Sequence, residues 1–332
     1  MTIAAAVVVA ILGGCIYAIV ANFGKNKKEV TVYAPDGAPA LALAKLLSED
    51  TENDGTTYHI VSATGIEARV TYEDMDKNAD VCVLPLTDAN LHLGDGENYQ
   101  MLGVVTHGNF YLLSETDGEY NTQNLSALVG KKIGFVQLAK LPGLVFQSIL
   151  RRENIPYKVQ SDLQSCEADV VNLINIKPTD VTKGTGFDVF AVPEPAASAK
   201  IKAAGFKKVG SVQELYGGEN GYAQAVVVAK KSLIESKHSW VEKFIDGLEG
   251  TEAWLNTASV ETVLSAVNSH LEEGLTPSLT DKNLTKDVIA GCGVYFKSAA
   301  ASKAEIDGMM ISLGGINSSL TAFSKEFFWS GF

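Results

Sequence analysis

Val30-Thr31-Val32-Tyr33-Ala34-Pro35-Asp36-Gly37-Ala38-Pro39-Ala40-Leu41-Ala42-Leu43-Ala44 carries a strand, a turn and a helix in immediate succession. The first five residues are β-rich. Pro35 to Pro39 is turn chemistry, and Pro39 suits the first turn of a helix because its φ is already helical. Ala40 to Ser48 then has helical composition. The same alternation continues outward. Tyr58 to Ser62 reads as a second strand and Ile66 to Lys77 as an amphipathic segment. Val81 to Pro85 reads as a third strand, with Thr87-Asp88 capping a helix through Leu91. Met101 to Leu113 is a long β-like run. Strands alternating with helices predict an α/β fold with a largely parallel sheet.

The pattern then restarts. Lys131 to Val136 reads as a strand, Gln137 to Gly143 as a loop and Leu144 to Asn154 as a helix. Asp188 to Val192 is another strand, followed by Pro193-Glu194-Pro195 and an Ala-rich helix. Ala223 to Ala229 is a further strand. Everything after Ser232 reads as helices, over 239–256, 259–273, 283–290 and 302–313. No low-complexity linker separates the two units, so two lobes joined closely are expected.

The chain has 332 residues, 46% hydrophobic and 20% charged, enough for a sizeable core and two domains. Its net charge of −12 argues against nucleic acid and against a basic patch on anionic lipid. The arginines are Arg69, Arg151 and Arg152 alone, which poorly supplies any site built from guanidinium forks. Cys15, Cys82, Cys166 and Cys292 show no zinc-ligand spacing, and nothing demands a disulfide. GxSxG, Walker-loop and HExxH motifs are missing, so neither an enzyme, a metal site nor a cofactor is expected.

Ile3 to Phe23 is almost unbroken apolar sequence ended by Gly24-Lys25-Asn26-Lys27-Lys28. A run of about 21 apolar residues suffices to span a bilayer. Alternatively, Leu12-Gly13-Gly14-Cys15 resembles a lipobox, which would make Cys15 a lipidated N-terminus. No Lys or Arg precedes the apolar run, and Ile16 to Val20 is unusually apolar for a mature lipoprotein start. A buried helix is the third reading. The first two tether a soluble domain to a membrane.

From about residue 30 onward the chain resembles type II periplasmic-type solute-binding proteins of ABC importers. The group most similar binds thiamine precursors, alkanesulfonates, taurine or nitrate. The resemblance rests on Ala34 to Ala44, Asp80 to Asn90, Thr106 to Leu112, Leu128 to Val136, Phe187 to Ala196 and Gly221 to Ala225, in that order. Ala223 stands where the family has proline, and the tail from Phe323 lacks the family's ending. Leu138-Ala139-Lys140-Leu141 is less rich in Gly and Thr than the family's oxyanion-grasping loops.

The resemblance implies two lobes, each a sheet flanked by helices, joined by two hinge crossings. The expected division is 1–28 signal peptide or anchor, 29–112 first lobe, 113–222 second lobe, and 223–332 hinge return and C-terminal helices of the first lobe. It implies a monomer on the extracellular face of the membrane that captures a small molecule and delivers it to an ABC permease. Chorismate dehydratase-like enzymes share the architecture and form the alternative, as does a tethered sensor.

In such a binder the ligand meets loops after strand ends and helix N-termini between the lobes. Candidate contacts are Asp36, Gly37, Ala38, Thr87, His107, Asn109, Gln137, Lys140 and Tyr222. Asp88 reads as a helix cap and Glu194 as part of a rigid turn. Gln224 falls where the chain recrosses. With acids outnumbering cations in these loops, and Tyr111 and Tyr222 able to stack a ring, a neutral or weakly cationic heteroaromatic such as a vitamin precursor is expected ahead of sulfonate or nitrate.

Overall fold

The computed structural model describes residues 30–50, 55–218 and 221–331. The lipobox, Cys15 and the apolar segment before Lys25 lie outside the described residues.

Among the described residues, twelve strands form two sheets of six. They are β1 (Val30–Pro35), β2 (Thr56–Val61), β3 (Val81–Pro85), β4 (Tyr99–His107), β5 (Phe110–Ser114) and β6 (Lys132–Val136). There follow β7 (Tyr157–Gln160), β8 (Val171–Ile176), β9 (Val189–Pro193), β10 (Lys207–Ser211), β11 (Ala223–Lys230) and β12 (Val294–Ser298). The first sheet runs β12-β4-β11-β3-β1-β2, the second β10-β5-β9-β6-β8-β7. In the first, β2, β1 and β3 are parallel and β11 lies antiparallel between β3 and β4. In the second, β7, β8, β6 and β9 are parallel, with β5 and β10 added antiparallel.

The pleat explains why these runs are so apolar. On β3, Cys82 and Leu84 join the core shared with the second lobe, while Val81 and Val83 face the C-terminal helices. Val30, Val32 and Ala34 of β1 pack on that second side with Val241, Phe244 and Leu248 of the helix His238–Thr257. Parallel strands covered on both faces need apolar residues at nearly every position. Lys230 ends β11 by donating to Asn78 O at 2.7 Å and pairing with Asp80 at 3.0 Å, which ties β11 to the loop before β3.

Four strands were not legible beforehand: β7, β8, β10 and β12. The last corrects the all-helical reading of the C-terminal region. Val294–Ser298 is short and half-buried, and forms the edge of the first sheet against β4. The run Met101 to Leu113 is two strands, broken at Gly108 and Asn109, where the chain leaves one sheet for the other. The change of sheet therefore comes before residue 112, because Phe110 already pairs with Pro193 in the second lobe. The chain enters β11 again through Gly221 and Tyr222. Gly108 N donates to Tyr222 O at 2.9 Å, so the two crossings are bonded to each other.

Candidate functional site

Loops at the carboxyl ends of β2, β3 and β6, joined by the start of β11, enclose a cleft of about 320 Å³ between the lobes. The first lobe contributes Pro39, Ala63, Thr64, Gly65, Glu67, Pro85, Thr87 and Asp88; the second contributes Gln137, Lys140, Leu141 and Pro142. Gln224 and Ala225 of the return strand form its hinge side.

Two helices point their N-termini into this space. Leu86–Leu93 follows β3 directly, and its first residues carry amides without intrahelical partners. Thr87, only 4% exposed, holds its Oγ1 buried with no hydrogen-bond partner among the described residues. Asp88 is not the cap expected: Pro85 occupies that position, and Asp88 sits in the first turn facing Lys140. Opposite, Leu141–Arg152 begins after a tight turn in which Lys140 N donates to Gln137 O at 2.9 Å. Gln137 takes the left-handed backbone with φ 63°, which costs a non-glycine residue energy. Asn175 Oδ1 holds the turn by accepting from Leu138 N at 3.1 Å. Gly143 lets the helix start beneath it, since a Cβ there would lie 2.0 Å from Leu138 O.

Lys140 Nζ reaches across the cleft to within 3.5 Å of Asp88 Oδ1. Burial pushes the Asp88 carboxyl above its ordinary range, and the Lys140 charge pulls it partly back. On the hinge side, Gln224 Nε2 donates to Asn109 Oδ1 at 2.9 Å, while Gln224 Oε1 is buried without a partner among the described residues.

The cleft thus brings together Thr87, Gln137 and Lys140 from the expected set. Asn109 stands one bond behind it, orienting Gln224. The others lie elsewhere. Asp36 Oδ2 accepts from Ser278 N at 2.6 Å, and Gly37 and Ala38 are buried beside it, so this loop closes on the 275–279 segment. His107 is 1% exposed and stacked on Tyr295 at 3.6 Å. Burial pushes its pKa down to about 3, which keeps the ring neutral.

Tyr222 is fully buried, with its ring against Gly108. Tyr111 directs its hydroxyl to Gly291 O at 3.0 Å. Neither tyrosine lines the cleft, which removes the ring-stacking argument for a heteroaromatic ligand. Glu194 accepts from Ser198 N and Oγ at 3.0 and 2.6 Å, which ties it to the first turn of the helix Ala196–Ala204.

The loop Ala63-Thr64-Gly65 with Glu67 was not singled out from sequence. Its signal was positional: it follows a strand parallel to β1, so its loop opens on the same edge of the sheet.

Among the described residues no group of His, Cys, Asp and Glu side chains could hold a metal ion, and Cys82, Cys166 and Cys292 are free. No described helix is long and apolar enough to cross a membrane.

No protein-family model and no curated protein matches the sequence. Solved structures do match in shape. An ABC transporter protein from Parabacteroides distasonis is 16% identical, over 92% of this chain and 99% of that one, with a TM-score of 0.68. The periplasmic aliphatic sulphonate-binding protein of Escherichia coli is 13% identical, over 92% and 94%, with a TM-score of 0.62. The alkanesulfonate-binding protein of Xanthomonas axonopodis pv. citri, bound to MOPS, is 15% identical, over 91% and 98%, with a TM-score of 0.59. The chain has the two-lobed periplasmic-binding-protein type II fold.

Proposed function

We propose that this chain is the solute-binding component of an ABC importer, holding a small polar molecule between its lobes and passing it to a membrane permease. The observation that carries this reading is the cleft itself. It is built from both lobes and the return strand, and is lined by Thr87 Oγ1 and Gln224 Oε1, buried without partners. Buried polar atoms left unpaired cost roughly 1–3 kcal/mol each, a cost that a hydrogen-bonding solute removes. The fold's solved neighbours add support, because their names describe an ABC transporter protein and two proteins that bind small solutes.

Binding rather than catalysis fits the chemistry of the lining. It offers amides, hydroxyls and one ion pair, while the thiols of Cys82 and Cys292 are buried and their pKa values pushed up. The expected neutral or weakly cationic character of the solute is retained; the aromatic ring is not, since no aromatic side chain lines the cleft. We further propose that the chain works as a monomer tethered through residues 1–28 on the outer face of the membrane. The lobes would close about the paired crossings at Gly108–Asn109 and Gly221–Tyr222.

Native mass spectrometry of the full chain, purified in mild detergent, tests the reading. Wild type should retain a small molecule that Thr87→Val and Gln224→Ala lose. Equal retention by all three proteins refutes the cleft as the site.

A further inference from the structure

The cleft contains its own cation. Lys140 and Asp88 come from different lobes, yet Nζ and Oδ1 are 3.5 Å apart. Their surroundings differ sharply: the Asp88 side chain is 10% exposed and that of Lys140 is 63% exposed. A lysine based in solvent therefore reaches over to a buried carboxylate on the far wall. Among the described residues no other cation pairs with Asp88. A buried carboxylate strongly favours a partner of opposite charge. A pair whose cation is mostly hydrated, however, shifts an equilibrium by less than about fivefold. Asp88 needs a cation, and the one it has is held weakly.

The two helix N-termini favour negative charge, a preference that Asp88 in the first turn already meets, and the other lining side chains share the bias of Asp88 towards a cation. Glu67 is a second carboxylate and Gln224 Oε1 an unpaired acceptor, with the Thr87 hydroxyl beside them. The guanidinium groups are engaged elsewhere: Arg69 with Glu272 at 2.8 Å, Arg151 with Gly315 O, and Arg152 with the carbonyls of Leu215 and Tyr216. An anion entering this cleft would find helix N-terminal amides but also two carboxylates, and no guanidinium fork.

We infer that Lys140 is a resident stand-in for the solute, occupying on Asp88 the place taken by the ammonium group of a small amine. The inference rests on the reading of the cleft as the solute site. On binding, the amine's ammonium replaces Nζ at the buried carboxylate, and Lys140 returns to water at little cost. The remainder of the amine lies in the cleft, whose volume of about 320 Å³ limits it to a small molecule.

Calorimetric titration of the full chain in detergent, at low ionic strength, tests this with ethanolamine, ethanesulfonate and taurine as probes. Ethanolamine should bind and ethanesulfonate should not. Lys140→Met removes the internal competitor, so ethanolamine affinity should rise by up to about fivefold. Asp88→Asn should lower it at least tenfold, with circular dichroism confirming that the variant is folded. Failure of ethanolamine to bind either wild type or Lys140→Met overturns the inference. So does ethanesulfonate or taurine binding that Lys140→Met abolishes, because Lys140 would then hold the ligand directly. The cleft would remain the solute site in that second case. Loss of retention in Thr87→Val and Gln224→Ala, measured separately, reports on the cleft whichever probe binds.

Discussion

Replacing Gly108 by alanine probes the point where the two lobes are joined. An added Cβ would lie 2.3 Å from Tyr222 Cε1, 2.7 Å from Cδ1 and 2.9 Å from Cζ. The ring cannot easily retreat, because Tyr222 is fully buried and its carbonyl is bonded to Gly108 N at 2.9 Å. Gly108 is not among the positive-φ glycines, so backbone strain adds nothing and the clash alone decides the outcome. Overpacking of this kind costs about 1–3 kcal/mol. At about 2–4 °C per kcal/mol for domains of roughly 150–250 residues, the melting temperature should fall by several degrees. Tyr222→Ala alone should cost about 3–5 kcal/mol through the void it leaves. Combining the two should cost clearly less than their sum, since the new methyl group enters the vacated space. Denaturant unfolding followed by circular dichroism gives all four corners of the cycle. Additivity within about 0.5 kcal/mol refutes the contact.

Three further outcomes follow from the same structure. Tyr222→Phe removes a hydroxyl that is buried without a partner among the described residues, so stability should hold or rise by about 1 kcal/mol; a loss of that size would show an unseen partner. His107, held neutral with its pKa pushed down from 6.5 to about 3, binds a proton only on unfolding below pH 6.5. Its contribution is complete above that pH and falls by up to about 1.4 kcal/mol per unit as the pH drops toward 3. His107→Phe should therefore flatten the acid limb of the stability profile, and an unchanged slope contradicts the assignment. Cys15→Ala should abolish palmitate labelling and leave an unprocessed chain if Leu12 to Cys15 is a lipobox, whereas equal labelling of both proteins favours an uncleaved anchor.

The sequence by itself determined the fold class and the central parallel strands. These are written in local chemistry: apolar runs near Val30, Val81 and Ile133, each followed by turn residues, with Pro39 and Pro142 at helix starts. Loops after parallel strands open on one edge of a sheet, so Thr87 and Lys140 could be placed near the cleft without coordinates. Only the tertiary structure decided which candidates face solvent and which face the core. His107, Tyr222 and Asp36 have the polarity of ligand contacts, but packing by Tyr295, Gly108 and Ser278 turned them inward. Edge strands such as β12 were hidden for a related reason: a short, half-buried segment has no strong period of its own and is held by its partner strand. The ion pair between Lys140 and Asp88 joins residues far apart in the chain, and no local pattern encodes such a meeting. Sequence periodicity reports which face of an element is apolar; it does not report which other element arrives to cover it.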